Sequence, residues 1–263
     1  MAVLGELAVG SVVELNVNGA PAEFLVVHQG LPGTMYDASC DGTWLLTKTL
    51  DFAGEIPFDT TDNDYENSDI HAYLNDTVWN WFDDNVKNAI LQVKIPYTAG
   101  NGTNPSLKTG ADGLSTRIFL PAHAEIGFAA SSYHYTEGAA WTYFDGSANA
   151  DRVATLDGEG QDWWLRSVRK SGTSKDVRLG VVKYNGAYGY KPCTSKGGVR
   201  FAFVLPGGFD PSATETAAVS GCVSINGVMR TLTGKGYVNV GGVLRDLSDA
   251  QVNIGGVLKS LKG

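Results

Sequence analysis

Apolar and polar residues alternate along the opening of the chain, where residues 11–30 are SVVELNVNGAPAEFLVVHQG. Two alternating runs flank the pair Asn18-Gly19. Because Asn-Gly readily adopts the positive φ angles of a two-residue turn, this pattern predicts a β-hairpin. Residues 43–50, TWLLTKTL, continue the apolar pattern and predict a third strand.

Apolar residues then recur at helical spacing after an acidic polar stretch. Asn67 or Ser68 can cap a first helix over residues 69–76, and Asp76 can cap a second over residues 77–93. The last third returns to strand patterns separated by polar or Gly-rich loops. The chain is therefore predicted to have an α+β fold with two early helices and a mainly antiparallel sheet.

The last third of the chain opens with WWLRSV, residues 163–168, which contains two adjacent tryptophans and an arginine. On a strand, Trp163 and Trp164 point to opposite faces, and Arg166 shares a face with Trp164. A guanidinium there either stacks on an aromatic ring or pairs with a buried carboxylate. Arg200, in GGVRFAFVL, can play the same part on a neighbouring strand. Structural roles are predicted for both tryptophans and both arginines.

The segment VKYNGAYGYKP, residues 182–192, alternates tyrosines with small residues. This places three tyrosines on one face of a ribbon, a composition typical of binding surfaces. An ordinary exposed hairpin that turns at Asn185-Gly186 is the alternative. The predicted ligand-binding residues are Tyr184, Asn185, Tyr188, Tyr190, Arg178 and Lys183.

The organisation changes after residue 205. Residues 206–221 are rich in Pro, Gly, Ser, Thr and Ala and predict a linker between a domain over residues 1–205 and the rest. Residues 222–263 then repeat one short unit three times: VSINGVMRTL, VNVGGVLRDL and VNIGGVLKSL. Each unit predicts one β-hairpin around Asn-Gly or Gly-Gly. A single hairpin has only marginal stability in water, so the three hairpins must bury one face. They form either a self-contained β appendage or an element for docking or oligomerisation.

Charge follows the same division. Residues 219–263 contain five Lys/Arg and two Asp/Glu, which gives a net charge of +3. Because the whole chain has a net charge of −8, residues 1–218 carry a net charge of −11. An acidic chain argues against nucleic acid as a partner. The first residues lack a basic segment before their apolar run, and no apolar run approaches ~20 residues. Neither a signal peptide nor membrane insertion is therefore expected.

Signatures of catalysis or metal binding are not found in the sequence. It has no phosphate-binding loop, no dinucleotide fingerprint, no HExxH and no GxSxG motif, and its four histidines are scattered. The acidic residues between 59 and 69 lack the glycine and glutamate of a calcium loop and favour a solvated loop. The three cysteines are dispersed, with no CxxC spacing. No catalytic residue, metal or cofactor is predicted.

Taken together, several of these segments resemble a family of uncharacterised domains of gut bacteria and their phages. That family has a WLRS strand, a variable Gly/Tyr/Asn loop and a GVRPAL-like strand, after an SxIRxWLN helix and an FLLSxxE strand. Here the corresponding segments are WWLRSV, GVRFAF, SDIHAYLN and FLPAHAE, so His71, Tyr73 and Phe201 depart from the pattern. The resemblance covers roughly residues 8–205.

Such domains resemble the C-type-lectin-like fold of formylglycine-generating enzymes and of the variable proteins of diversity-generating retroelements. The resemblance implies that the last strands and loops form a ligand surface, with residues 169–176 and 183–192 as the variable parts. The formylglycine-generating enzymes require a pair of cysteines for copper and oxygen chemistry. The three cysteines of this chain are dispersed and do not match that pattern. An oxidase is therefore the remote alternative.

The C-terminal units are similar to VKVGGVWK-type repeats at the ends of phage tail and other virion proteins. Together the two resemblances imply a virion protein made in the host cytoplasm, with a lectin-like domain that binds a bacterial surface glycan or protein. Residues 222–263 would contact other virion proteins or form a homo-oligomer, with a trimer favoured. A purely architectural decoration protein is the alternative.

Overall fold

The computed structural model describes residues 3–100, 105–130, 132–170 and 177–212, and the backbone of six short strands beyond them. The chain divides into two units, Met1–Pro211 and Ser212–Gly263. This division falls inside the stretch predicted as a linker.

The strands of the first unit are, in chain order, β1 (Val12–Val17), β2 (Ala20–Gln29), β3 (Thr43–Thr47), β4 (Glu55–Pro57), β5 (Val93–Ile95), β6 (Tyr97–Ala99), β7 (Ser106–Lys108), β8 (Leu114–Thr116), β9 (Ile118–Phe119), β10 (Thr155–Leu156), β11 (Glu159–Gly160), β12 (Trp163–Val168), β13 (Arg178–Val182), β14 (Tyr188–Pro192), β15 (Lys196–Gly198) and β16 (Ala202–Leu205). Its α-helices are α1 (Asp69–Ala72), α2 (Asp84–Ala89) and α3 (Asn149–Arg152). Short 3-10 helices cover Leu4–Glu6, Ala38–Cys40, Tyr65–Asn67, Val78–Trp81 and Gly110–Asp112.

Two five-stranded sheets form the framework of the first unit. One has the order β1-β2-β3-β16-β9, and the other has the order β14-β13-β12-β15-β4. Neighbouring strands are antiparallel except for the parallel pair β12 and β15. The pairs β5–β8, β6–β7 and β10–β11 complete the unit. The predicted α+β class is confirmed: the unit is mostly sheet with few helices.

The predicted opening hairpin is confirmed by the register of β1 and β2. Val17 pairs with Ala20, and Asn18 and Gly19 form the turn with φ angles of 54° and 75°. The predicted third strand, β3, pairs with β2 on one side and with β16 on the other. All five β3 residues are buried, so this strand lies at the centre of the core.

The first predicted helix is present. Ser68 is its N-cap, because its Oγ accepts a hydrogen bond of 3.3 Å from the backbone N–H of His71. The chain then continues through a π-helical turn at Tyr73–Thr77 and the 3-10 helix at Val78–Trp81. Asp76 lies within that turn, so its predicted role as an N-cap is wrong.

The second helix was predicted as one segment over residues 77–93, and this is wrong. The chain leaves the helical conformation at Phe82 (φ −76°, ψ 142°), and α2 is a separate helix. The Phe82 ring packs against Phe24 and Phe203, at centroid distances of 6.1 and 5.1 Å. Tertiary packing of this ring in the core thus overrides the local helical pattern.

Strand β12 is buried along its whole length. The indole N–H of Trp163 donates to the carbonyl of Arg152 (3.0 Å), and that of Trp164 donates to the carbonyl of Ile56 (2.9 Å). The two rings therefore lie against different parts of the fold, and each satisfies its polar atom. Both tryptophans fill the structural positions expected of them.

The Trp164 ring depends on a glycine opposite it. A Cβ on buried Gly197 would lie 2.8 Å from the ring, which is itself buried and hydrogen-bonded. We therefore expect Gly197→Ala to lower the free energy of unfolding by about 1–3 kcal/mol. Urea unfolding measured by tryptophan fluorescence checks this. The control is Gly208→Ala, where a Cβ meets nothing within 4 Å; equal stability of the two variants would contradict the expectation.

The acidic stretch after β4, residues 59–69, was expected to be a solvated loop, but four of its residues are buried: Asp59, Asn63, Tyr65 and Ser68. The Asp59 carboxylate accepts hydrogen bonds from the backbone N–H groups of Thr61 (2.7 Å) and Asp69 (3.1 Å). The Asn63 side chain donates to the carbonyl of Arg178 (3.0 Å). The loop is thus fastened by its own polar side chains. No group of three His, Cys, Asp or Glu residues suited to a metal occurs in the described part of the chain.

The first residues of the predicted linker belong to the first unit. The backbone N–H of Leu4 donates to the carbonyl of Phe209 (2.9 Å), and that of Gly5 donates to the carbonyl of Gly207 (2.7 Å). Phe209 also packs against the core. The linker therefore begins later than residue 206.

The second unit contains three antiparallel strand pairs at the three sequence repeats. They are β17 (Gly221–Ile225) with β18 (Val228–Leu232), β19 (Tyr237–Val240) with β20 (Val243–Asp246), and β21 (Gln251–Ile254) with β22 (Val257–Ser260). Over the described residues of both units, none of the helices has the length and apolar character required to span a bilayer.

Candidate ligand-binding site

Arg166 lies at the centre of the buried framework under the site. Its guanidinium forms an ion pair with Glu125 through hydrogen bonds of 2.6 and 2.7 Å, and both side chains are fully buried. It also donates to the carbonyls of Pro96 (2.9 Å) and Leu120 (2.8 Å). Burial alone would lower the pKa of Arg166, but the Glu125 carboxylate raises it above its usual value. The structure has the predicted ion pair with a buried carboxylate, and the Arg166 guanidinium carbon also lies 6.0 Å from the centroid of the Phe119 ring.

Arg200 has the other predicted arrangement. Its guanidinium carbon lies 5.1 Å from the centroid of the Trp163 ring, and its Nε donates to the carbonyl of Thr47 (3.0 Å). Burial lowers the pKa of Arg200 to about 10, which still leaves it charged at neutral pH. Both arginines thus tie strands together inside the domain.

The tyrosine ribbon is formed by β13 and β14, but only two of its three tyrosines share a face. Tyr188 and Tyr190 pack edge to face with a centroid distance of 5.1 Å. Gly180 makes room for them, because a Cβ there would lie 2.8 Å from the Tyr188 hydroxyl. Tyr184 lies in the turn instead, with 62% of its surface exposed. The prediction of one face for all three is therefore wrong for Tyr184, because strand alternation does not extend into a turn.

The turn between β13 and β14 is fastened to the domain. Lys183 donates its backbone N–H to the carbonyl of Ala187 (2.8 Å), and the Asn185 side chain accepts from the backbone N–H of Ala187 (3.1 Å). Gly186 has a φ of +79° and its backbone lies against the carbonyl of Asn149. This turn is thus held by its own backbone and by its neighbours.

Arg178 lies at the opposite end of the same hairpin, exposed and paired in register with Pro192. Strands β13 and β14 each contain five residues, which span four steps of about 3.3 Å. The two ends of the hairpin are therefore about 13 Å apart. The predicted variable segment 169–176 precedes the Arg178 end of the hairpin, and residues 171–176 of it lie outside the described residues. The other predicted variable segment, 183–192, comprises the turn at the opposite end and strand β14.

Two histidines, eleven positions apart in sequence, meet under the face that carries Tyr188 and Tyr190. The rings of His123 and His134 lie 3.7 Å apart, and the His123 ring lies 4.8 Å from that of Tyr188. Both histidines are buried, and the Tyr190 hydroxyl lies 3.4 Å from Nδ1 of His134. Burial and the neighbouring His134 lower the pKa of His123 to about 3. Burial and the Lys170 charge lower the pKa of His134 to about 4. Both rings are therefore neutral at pH 7.

Two cations lie on the outer tyrosine rings. The guanidinium carbon of Arg169 lies 5.4 Å from the Tyr133 centroid and 5.0 Å from the Tyr190 centroid. The Lys170 ammonium lies 3.5 Å from the centroid of Tyr135. We refer to Tyr133, Tyr135, Arg169, Lys170 and Tyr190 as the tyrosine–cation patch. Tyr133 is 54% exposed, so the patch reaches the surface of the domain.

The segment that carries Tyr133 and Tyr135 is hydrogen-bonded to β12 and to the residues that follow it. The backbone N–H of Lys170 donates to the carbonyl of Tyr133 (2.6 Å). Behind the patch, buried Ser167 donates to the Glu137 carboxylate (2.6 Å), which also accepts from the backbone N–H of Thr98 (2.6 Å). Burial raises the pKa of Glu137. These bonds hold the patch residues in fixed positions.

Sequence reasoning found part of this site. Tyr188 and Tyr190 were predicted, whereas Tyr133, Tyr135 and the two histidines were missed. A signal was present: SYHYTE, residues 132–137, alternates tyrosine with other residues just as YGYKP does. Joining these segments depends on tertiary contacts over more than fifty positions in the chain, which local patterns do not encode.

Comparison with known proteins then gives a family. A family model described as "Domain of unknown function (DUF6273)" matches residues 41–207, more than half of the chain. The chain belongs to this family. No curated protein and no solved structure matches the chain. All residues of the tyrosine–cation patch lie inside the DUF6273 domain, whereas the β1–β2 hairpin precedes it and completes one of the sheets.

The cysteines of this DUF6273 chain bear on the oxidase alternative. Cys40 and Cys193 are both buried free thiols, and Cys222 lies in the second unit. Burial raises the pKa of Cys40 to about 12. A thiol with a raised pKa is a poor nucleophile and a poor metal ligand at neutral pH. The buried positions of Cys40 and Cys193 do not favour oxidase chemistry.

Proposed function

We propose that the protein is a phage virion protein whose first unit, a C-type-lectin-like domain, binds a glycan on the bacterial surface. The observation that carries this proposal is the cluster of tyrosine rings that reaches the surface, in which Tyr133 and Tyr190 pack edge to face at a centroid distance of 6.4 Å and Tyr188 packs against Tyr190 at 5.1 Å. Tyrosines supply large contact areas at a low cost in conformational entropy. Such a surface suits recognition rather than chemistry.

The framework beneath the patch supports the same proposal. Arg166 and Glu125 fasten β12 to the segment that carries His123, and Ser167 joins it to Glu137. Binding to a preorganised surface loses less conformational entropy than binding to a mobile one. A sheet that is buried on both sides can thus support a fixed patch at its edge.

The second unit would bring several copies of the glycan-binding domain together, which a weak binding site needs. Its three hairpin repeats carry a net positive charge in an otherwise acidic chain. We propose that they attach the protein to other virion proteins or to further copies of itself, with a trimer favoured. Several linked sites raise the effective concentration, so weak single contacts add up to firm adhesion.

The test is adsorption by the full-length protein. Fluorescently labelled protein is incubated with a panel of bacterial cells and with the surface polysaccharides purified from them. We expect Tyr190→Ala and Tyr133→Ala each to weaken binding by about 10-fold, since each removes an aromatic contact and loosens Arg169. The matched control is Tyr184→Ala, which removes an exposed tyrosine in the turn of the hairpin, away from the patch, and should leave binding unchanged.

Three outcomes would contradict the proposal. Equal losses in Tyr184→Ala and Tyr190→Ala would show that the patch is not the site. Binding to cells that is abolished by protease, with no binding to purified polysaccharide, would identify a protein ligand. Wild-type protein that assembles into particles but binds no cells in the panel would favour the architectural alternative.

A further inference from the structure

We infer that two copies of the chain pair along strand β14, edge to edge, and so join their five-stranded sheets into one continuous sheet. This pairing goes beyond the proposed function and does not depend on it. Three features of β14 carry the inference: its place at the end of a sheet, the direction of its backbone groups, and the side chains that would lie opposite each other.

Strand β14 lies at the edge of its sheet and has β13 as its neighbour on one side. Among the residues that the structure describes, no strand pairs with its other side. Proteins usually block such an edge with a bulge, a proline or a charge. The register of β14 with β13 runs without a bulge over all five residues, and Pro192 is the last of them. Lys191, the only charged residue of β14, is drawn towards Asp162, with 3.6 Å between the ammonium and the carboxylate. The edge is therefore open to another strand.

The hydrogen bonds of the hairpin show which backbone groups of β14 face this open side. Lys183 donates its N–H to the carbonyl of Ala187 (2.8 Å), so these two residues form a hydrogen-bonded pair. Bonded and non-bonded pairs alternate in an antiparallel ladder, so Gly189 directs its N–H and C=O groups to β13, whereas Tyr188 and Tyr190 direct theirs outward. The described residues provide no backbone acceptor for these two N–H groups. Because buried N–H groups nearly always have a partner, both donors face solvent.

A second copy of β14 provides the acceptors when it runs antiparallel with Tyr190 opposite Tyr190. Each Tyr190 then donates its N–H to the carbonyl of the other, and each Tyr188 donates to the carbonyl of Pro192 in the other copy. Pro192 has no N–H, so the ladder ends there. Both outward donors of both copies are satisfied, as in an interface between identical surfaces related by a two-fold axis.

The side chains of β14 are compatible with this register. On one face Tyr190 lies opposite Tyr190, and Tyr188 lies opposite Pro192, so aromatic and apolar surfaces meet. On the other face Lys191 lies opposite Gly189, so like charges are kept apart. A shift of two residues towards the C-terminus would place the two lysines opposite each other. The charge pattern of β14 thus favours a second copy of itself in the register centred on Tyr190.

The size of this contact makes the pairing depend on protein concentration. Two five-residue strands bury less than the roughly 1,200 Å² of a stable complex, so free copies associate weakly. Copies held side by side on a particle pair more readily, because linkage raises the effective concentration. Pairing also brings the Tyr190 rings of two copies together and extends the tyrosine surface across the two-fold axis.

The test measures amide hydrogen exchange in the full-length protein at about 2 µM and about 200 µM, on either side of the affinity expected for so small an interface. Mass spectrometry with residue-resolved fragmentation follows the amides of Tyr188 and Tyr190. We expect both to exchange at least about 5-fold more slowly at the higher concentration. The Gly189 amide is the internal control, because it donates to β13 with or without a second copy and should not change.

Three substitutions at one position test the register. Gly189→Lys places a like charge opposite Lys191 of the other copy and should remove most of the concentration-dependent protection. Gly189→Glu places an opposite charge there and should increase the protection, and the uncharged Gly189→Gln should lie between the two. The fold accommodates these side chains, because the atom nearest to an added Cβ, at 2.5 Å, belongs to the flexible side chain of Lys183.

Rapid exchange of Tyr188 and Tyr190 at both concentrations would overturn the inference. Slow exchange at both would also overturn it, because the chain would then cover its own edge. Equal effects of Gly189→Lys and Gly189→Glu would overturn the register centred on Tyr190. Concentration-dependent protection without adsorption to bacterial cells would support the pairing and overturn the proposed glycan binding, whereas adsorption without such protection would overturn the pairing alone.

Discussion

Arg166→Met is expected to lower the free energy of unfolding of the first unit by about 3–5 kcal/mol. The substitution leaves Glu125 as a buried charge without its partner, and it leaves the carbonyls of Pro96 and Leu120 without their donor. Urea unfolding followed by tryptophan fluorescence measures this directly, because all six tryptophans lie in the first unit.

Two further variants make that result interpretable. Arg117→Met removes an exposed arginine that lies 4.9 Å from the Trp79 ring and should cost less than about 1 kcal/mol. The double variant Arg166→Met with Glu125→Leu removes both charges and should recover much of the loss. If Arg166→Met were no less stable than Arg117→Met, the buried ion pair would not stabilise the fold.

Acidification should destabilise the first unit through the pair of buried histidines. In the unfolded chain both rings bind protons as the pH falls below about 6.5, whereas in the folded state they bind them only near pH 4 and pH 3. Stability is therefore fully present above pH 6.5 and decreases as the pH falls towards 3. Between pH 7.5 and 5.5 the loss should be about 2–3 kcal/mol for the pair.

Urea unfolding at pH 7.5, 6.5 and 5.5 measures this slope. The double variant His123→Phe with His134→Gln should have a shallower slope over the same range, because these two histidines have the largest reductions in pKa. Burial also lowers the pKa of His28 and of His71, so these two contribute to the slope that remains. The comparison variant is His28→Gln, which removes a half-buried histidine elsewhere, keeps the pair and should reduce the slope less. An unchanged slope in the double variant would show that other groups cause the acid sensitivity.

Local sequence patterns predicted the sheet better than the helices. The opening hairpin followed from Asn18-Gly19 and from strict alternation, which are properties of neighbouring residues. The break at Phe82 depends on Phe24 and Phe203, which are distant in sequence and meet this ring only in the folded core. A helical spacing of apolar residues therefore predicts burial correctly without fixing where the helix ends.

The same distinction explains the site. Tyr188 and Tyr190 share a face because the strand period fixes their directions. The ion pair of Arg166 depends on Glu125, the last residue of FLPAHAE. Nothing in the sequence indicated that this glutamate lies next to β12. The meeting of His123 with His134, and of Arg169 with Tyr133, depends on a long connection between strands. No period or motif encodes such meetings.

The backbone contacts of Leu4 with Phe209 and of Gly5 with Gly207 have a consequence for engineering. The two ends of the first unit therefore lie side by side, joined by backbone hydrogen bonds. A domain with adjacent ends can be inserted into a surface loop of an unrelated protein, because the two ends of the loop are also close together. Evolution has the same freedom, because a fold with adjoining ends can be moved between hosts as a single insertion.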